Sequence, residues 1–318
     1  MTFPGHWYHR VQKQGAGSAL NTFRDALRQK DFVISVELPL RPDTTATQIA
    51  AATTELRPVV DAVQILDDRE AVGQMSALAA AALVRQEDVD PVIHLTARDR
   101  NRVALQAEIL GAAALGVTSI VVSRGEKLSR KEFLRGKGVF DTSEARFIGM
   151  AKRISEETDL VSPPGFMIGT YVTVFDPDES WEAARISESL DTGVSVLYSQ
   201  PCLNERLLTV YMSKLIEKKI LHRASVIVEV PLLGSRDAAR DYKKKNPIAL
   251  IPDAVIKRIV EAEDAQAEGL AVCVEMLRAL PAIPGVSGAN IRHKGDATAV
   301  TQAVEMAGLS LQAVSGTA

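Results

Sequence analysis

The sequence predicts an α/β protein: a single (β/α)8 TIM barrel with an amino-terminal extension. Three observations carry this. Short apolar or β-branched runs alternate with longer segments rich in Ala, Leu, Glu, Lys and Arg, and eight such runs occur. The early runs are followed by no GxGxxG or GxxxxGK turn, which a doubly wound open sheet, the competing architecture, would normally carry.

From the start of the chain, residues 1–16 (MTFPGHWYHRVQKQGA) show no periodicity and read as an arm, packing through Trp7 and Tyr8 on the body or on a second subunit. Residues 17–30 (GSALNTFRDALRQK) read as a short amphipathic helix suited to covering the barrel floor. The expected division is therefore 1–30, arm and helix, and 31–318, barrel. Strands are expected at 32–37, 60–66, 91–96, 118–123, 166–173, 194–199, 225–230 and 286–291. Helices are expected near 46–57, 71–87, 100–115, 143–158, 178–191, 204–219 and 235–244, as a pair within 252–279, and at 297–307. Asp178 and Ser235 stand where helix caps are needed, and Gly116 and Gly193 where a left-handed residue ends a helix.

Composition narrows the function. The chain has 318 residues, 46% hydrophobic and 24% charged, with a formal charge of -3 and both signs interspersed. That balance gives no electrostatic case for nucleic acid or an anionic membrane surface, so the expected partner is a small molecule. Cys202 and Cys273 lie far apart, and His6, His9, His94, His222 and His293 form no ligand pattern, so no metal is expected. Without a signal peptide or a run long enough to span a bilayer, the expected location is the reducing cytoplasm.

In a barrel of this kind chemistry gathers at the carboxyl ends of the strands. Those ends carry Glu37; Asp67 and Asp68; His94 and Thr96; Arg124 and Glu126; Tyr171 and Thr173; Gln200; Glu229; and Asn290 with Arg292. Barrel rims are also polar for solvation, so convergence alone does not make a site. Glu37 reads as a general acid or as a solvated rim carboxylate; Leu38 and Pro39 favour the first by making its surroundings apolar. His94 reads equally as a hydrogen-bonded interior histidine. Gly125 allows close approach of a flat ligand, while Arg124 and Glu126 can instead pair with each other. The following loop carries Lys127, Arg130, Lys131, Arg135 and Lys137, suited to a phosphate or polycarboxylate tail or simply to solvent. Lys243, Lys244 and Lys245 end a helix, where they offset its dipole.

The ordered segments SVELP, DAVQILDD with MSALAAAAL, HLTARDRNR, LGAAALGVTSIVVSRGE and GVSVLYSQ resemble the methylenetetrahydrofolate reductase family. The resemblance runs from about residue 32 to about residue 300 and is strongest over 60–126. It implies a barrel that holds FAD at the strand ends and uses NADH or NADPH to reduce methylenetetrahydrofolate to methyltetrahydrofolate. It also implies Glu37 as the acid that protonates the folate and assists iminium formation. By the same resemblance His94, Thr96, Arg124, Gly125, Glu126, Tyr171 and Arg185 border the cofactor, and Gln200 and Asp68 the substrate.

The chain departs from the family pattern at several points. Glu126 replaces an aspartate, Leu38 and Leu40 stand where aromatic residues are common, and AARISESLDTG (183–193) keeps Arg185 as its one basic residue, with Ser189 at a common lysine position. Two further readings follow: a folate reductase without flavin, in which nicotinamide donates hydride directly, and a folate-binding or regulatory barrel that has no turnover and works through a partner; the partners to look for are a second copy of the chain, as a homo-oligomer, or a partner subunit.

Overall fold

The computed structural model describes residues 21–67, 73–126, 137–157 and 164–309. Eight strands close into one parallel barrel in sequence order: β1 (Val33–Glu37), β2 (Ala62–Ile65), β3 (Pro91–Thr96), β4 (Ser119–Ser123), β5 (Met167–Tyr171), β6 (Val196–Tyr198), β7 (Ser225–Pro231) and β8 (Val286–Arg292). Closure is made by β8 on β1, with Val33 opposite Gly288 and Ser35 opposite Asn290. The strands are buried on both faces, which is why they read as unbroken apolar runs rather than as alternating ones.

Around the barrel lie helices Ala46–Leu56, Ala77–Gln86, Arg102–Ala114, Glu144–Glu156, Ala184–Thr192, Glu205–Glu217, Arg236–Lys245, Asp253–Glu261, Ala265–Ala279 and Ala297–Ala307. Most start where a short polar side chain accepts from a free amide of the first turn. Thr45 does so in a reciprocal box with Gln48, and Ser235 accepts from Ala238. Gly116 and Gly193 take φ of +72° and +126° at their helix ends. Among the described residues no helix is long and apolar enough to cross a membrane.

The helix expected near 71–87 begins at Ala77, where Ser76 accepts from Ala79 N, and the one expected at 178–191 also begins late. Asp178 does not cap it: its carboxylate accepts from Ser180 N at 2.8 Å and from the Ser180 hydroxyl, closing a turn instead. The helix starts at Ala184 after Ala183, whose φ of +51° breaks the approach. Several strands are also shorter than their apolar runs, β2 covering Ala62–Ile65, β5 Met167–Tyr171 and β6 Val196–Tyr198.

The apolar residues divide into two bodies. Outward-facing strand residues such as Ile34, Val36 and Leu38 meet the helices in a continuous shell. Inside the barrel, Val33, Ala62, Val92, Val121, Val196 and Ile227 pack against Phe23 and Ala26 of the helix Phe23–Gln29. That helix occupies the floor, as its amphipathic pattern predicts. Burying a phenylalanine there contributes about 1.5–3 kcal/mol, and the Phe23 amide donates to Asp90 at 2.8 Å, fixing the plug to the start of β3. Residues 1–20, including Trp7 and Tyr8, lie outside the described residues.

Asp90 records the cost of this closure. Burial raises its pKa from 3.8 to about 6, against the Phe23 hydrogen bond and Arg85, 3.6 Å away. Below the unfolded value both states hold the proton. Between the two values the folded state alone holds it, so ionisation on raising the pH costs the fold up to roughly 3 kcal/mol. An Asp90→Asn variant, whose amide oxygen still accepts from Phe23, should gain stability relative to the wild type by that order between about pH 4 and about pH 7. Denaturation midpoints at the two pH values check it; a constant difference rules the account out.

Candidate active site

A cavity of about 470 Å³ opens at the carboxyl ends of the strands, within the range of small-molecule sites, roughly 300–1,000 Å³. His94, Thr96, Arg124, Gly125, Glu126, Tyr171, Arg185 and Gln200 all line it, as do Asp67 and Glu229. Glu37 does not belong to that lining, and Asp68 lies outside the described residues.

Below the cavity the barrel interior is polar. Gln64 lies at the centre: its Nε2 donates to Ser35 Oγ and to the Tyr198 hydroxyl, both at 3.1 Å, and its Oε1 is 2.6 Å from His94 Nε2. His94 Nδ1 lies 2.7 Å from the Tyr171 hydroxyl. Ser35 donates to Asn290 Oδ1 at 3.2 Å. Gly169 makes the crossing possible, since a Cβ there would sit 2.9 Å from the Tyr198 ring. Burial holds the Tyr198 phenol well above its ordinary pKa, so it stays neutral. His94 is thus both interior and at the cavity, the two alternatives its position in the sequence left open.

At the mouth, Arg292 bridges two carboxylates. Its Nε donates to Glu37 at 2.7 Å and its Nη1 to Glu229 at 3.2 Å. Glu37 keeps 15% of its side-chain surface exposed and Glu229 1%. Burial works against the Arg292 charge, but Glu37 and Glu229 more than offset it and raise its pKa. The apolar surroundings expected for Glu37 are therefore absent. Leu38 points to the opposite face and joins the helix-side shell, because successive strand residues alternate. His293, next along the chain, is buried and its pKa is lowered by that burial.

The remaining predicted residues are brought together in different ways. Asp67 accepts from Thr96 N and Oγ1 and is gripped by Arg100, which ties the β2 end to the β3 end. Gly125, at φ +77°, has Arg98 Cβ and Thr96 Cβ 2.9 and 3.2 Å from where its own Cβ would be; its small size serves packing between two loops. Arg124 stacks over Phe140 at 5.0 Å, and among the described residues it makes no ion pair with Glu126. Arg185 is 82% exposed and pairs with Glu144 at 3.5 Å. The Gln200 amide is engaged at both ends by the Val174 backbone, at 2.8 and 2.9 Å, so it clamps two loops at the cavity wall.

Sequence reasoning missed Gln64 and the aromatic wall. Phe175, Trp181 and Tyr211 pack with centroids 5.5–5.8 Å apart and line the cavity. Gln64 was detectable as a polar residue inside an apolar run, which demands an internal partner. The three rings come from separate segments, and no spacing joins them.

A family model described as methylenetetrahydrofolate reductase matches residues 22–291. Among solved structures, an uncharacterised protein from Clostridium thermocellum, described as binding two copies of 5-methyl-5,6,7,8-tetrahydrofolic acid, is similar at 11% identity over 89% of this chain and 96% of that one, with a TM-score of 0.61. A long-chain alkane monooxygenase, LadA, is similar at 8% identity over 88% and 90%, with a TM-score of 0.53. At such identities the likeness is one of barrel fold. No curated protein matches the chain.

Arg292 gives the site its test of charge balance. Arg292→Met leaves Glu229 buried without that guanidinium and should cost about 3–5 kcal/mol of stability. Adding Glu229→Leu should return part of the loss, giving a coupling of about 1 kcal/mol or more in a double-mutant cycle. Strict additivity would mean that the two residues do not act as a pair.

Proposed function

The chain belongs to the methylenetetrahydrofolate reductase family, and from that premise we propose that it reduces 5,10-methylenetetrahydrofolate to 5-methyltetrahydrofolate with a hydride that originates from NADH or NADPH. The observation that carries this reading is the carboxylate Glu37, held by Arg292 at the end of β1 and joined through it to the cavity-lining Glu229. The reaction needs one hydride and one proton, and an ordered carboxyl group beside an aromatic-walled cavity suits the proton.

The roles follow from position. Phe175, Trp181 and Tyr211 offer apolar surface for a flat ring and exclude water from one side of the cavity. In this reading the Glu37–Glu229 pair, two carboxylates on one guanidinium, takes up a proton from solvent and passes it to the bridge nitrogen of the folate, and the carbon–nitrogen bond breaks with its electron pair left on nitrogen. Arg292 restores the negative cluster to balance afterwards.

A flavin ring fits this lining: Thr96, Gly125 and Tyr171 would border it, together with the aromatic wall. When bound, flavin accepts a hydride from nicotinamide and passes it to the substrate. The diphosphate of FAD fits less well. Among the described residues the arginines lining the cavity are already engaged, Arg98 with Asp99, Arg124 with Phe140 and Arg185 with Glu144, and Asp67, Glu126, Glu144 and Glu229 add negative charge; Lys127, Arg130, Lys131 and Arg135 lie outside the described residues. That observation favours a second reading, in which nicotinamide donates hydride directly to the folate.

The visible absorbance of the purified protein separates the two: a flavin spectrum supports the first, and a colourless protein that free FAD does not reconstitute supports the second. In either case Glu37→Gln should lower folate reduction on the order of 10²-fold or more. If flavin is bound, its reduction by nicotinamide should survive the substitution. Equal loss in both half-reactions would assign Glu37 to structure, and no turnover of methylenetetrahydrofolate by the wild type would overturn the proposal.

A further inference from the structure

The helix Arg102–Ala114 has two apolar faces, and the barrel accounts for one. Leu105, Ile109 and Ala112 are buried in the shell around the strands. On the other side Val103, Gln106, Ala107, Leu110 and Ala114 are exposed, Val103 to 73% and Leu110 to 43%, and none of them is charged. An isolated apolar residue on a surface needs no explanation. The helix Glu205–Glu217 shows that ordinary case, its exposed Val210 and Ile216 standing among Glu205, Arg206, Thr209, Ser213 and Glu217. Val103, Ala107, Leu110 and Ala114 instead follow one another at steps of four, three and four residues, the spacing of the seam along which one helix packs on another. The face also widens on one side. Gly111 has no side chain where a Cβ would lie 3.0 Å from Leu78, so the helix Ala77–Gln86 packs close, and its exposed Ala79 and half-buried Ala82 extend the uncharged strip.

We propose that this face docks a second copy of the chain, the two Arg102–Ala114 helices running antiparallel about a two-fold axis that passes between Ala107 and Leu110. The order of side chains is what selects this partner. In the antiparallel pairing Val103 meets Ala114 of the second copy and Ala107 meets its Leu110, so every layer sets a large side chain on a small one. A parallel pairing would stack Leu110 on Leu110 and Ala107 on Ala107, crowded at one layer and hollow at the next. The charges agree with the antiparallel choice. Arg102, held at the start of the helix by Asp141 at 3.1 Å, comes level with the end of the other helix, where free carbonyls favour a cation. The strip is two helices wide and about 20 Å long, which is small beside a permanent interface, so the copies should exchange with concentration.

Sedimentation of the whole chain between about 1 and about 100 µM should show the mass rising from that of one chain toward that of two. Leu110→Glu places a carboxylate at the centre of the pairing and should weaken it about tenfold or more, while the thermal midpoint of the single chain stays unchanged because the residue is exposed there. Ala107→Leu, which sets leucine on leucine, should also weaken association, and Ala107→Leu/Leu110→Ala, which returns large to small, should restore it. The geometry has its own readout. A short bismaleimide should join Val103→Cys to Ala114→Cys in a mixture and neither variant to itself, since like positions would lie roughly 16 Å apart; Cys202 and Cys273 are buried. A single chain at every concentration overturns the proposal, and if Leu110→Glu then lowers the thermal midpoint, a segment of the same chain covers the face. Dimers that Leu110→Glu leaves intact put the interface elsewhere and overturn it as well. Self-linking of either cysteine variant overturns the antiparallel arrangement.

Discussion

A closed barrel leaves its inward-facing polar atoms nowhere to go but to one another. That constraint governs the middle of this molecule, where Ser35, Gln64, His94, Tyr198 and Asn290 occupy positions that parallel barrels commonly fill with branched aliphatic side chains. An unpaired amide or hydroxyl at this depth costs about 1–3 kcal/mol. The polar layer is therefore stable as a connected network and costly once broken. It rests on the apolar layer below, where Phe23 and Ala26 seal the floor against Val33, Ala62 and Val92. Water is kept from the network at one end and a ligand can meet it at the other.

Above this layer the mouth of the barrel is charged. Glu229 and Arg292 stand opposite Asn290 and Pro231 in the β7–β8 register, so the ion pairs at the mouth are built on the same strands that carry the last polar groups of the interior. The closure of β8 on β1 brings Glu37 to Arg292 across 255 positions of chain. No local segment contains this cluster. It exists because the barrel closes in register, and a slip of one residue would turn each of these side chains outward to the helices.

That dependence explains what was legible in the sequence. The strands were, because burial on both faces gives runs that differ plainly from the helical segments between them. So were the strand-end residues, since β/α alternation fixes which end is the mouth. What each side chain does there was not legible. Leu38 suggests an apolar setting for Glu37 only if neighbours in sequence share a face, and in a strand they do not. Gln200 reads as a ligand group, yet the Val174 backbone engages both ends of its amide. Gly125 reads as room for a ligand; it lines the cavity, but the space its own Cβ would take is filled by Arg98 and Thr96. In each instance the deciding partner lies in a different βα loop, and no single stretch of sequence carries the information.

The cavity is asymmetric, and the asymmetry bears on what it can hold. Phe175, Trp181 and Tyr211 form its wall on the side of β5 and the helix Glu205–Glu217, while the acidic groups Glu229 and, through Arg292, Glu37 lie on the side of β7, β8 and β1. A flat ring gains most by lying along the aromatic side, with a basic nitrogen toward the carboxylates. A pterin offers both in one molecule, a flat ring and a nitrogen able to take a proton. A bare apolar ligand lacks the second and would leave buried hydrogen-bonding groups without their water. An anionic diphosphate placed against the same wall would face Glu126 and Glu144 with Arg185 already paired. Among the described residues the rim is therefore acidic on one side and aromatic on the other, and its charge is held close by ion pairs rather than left open to an anion.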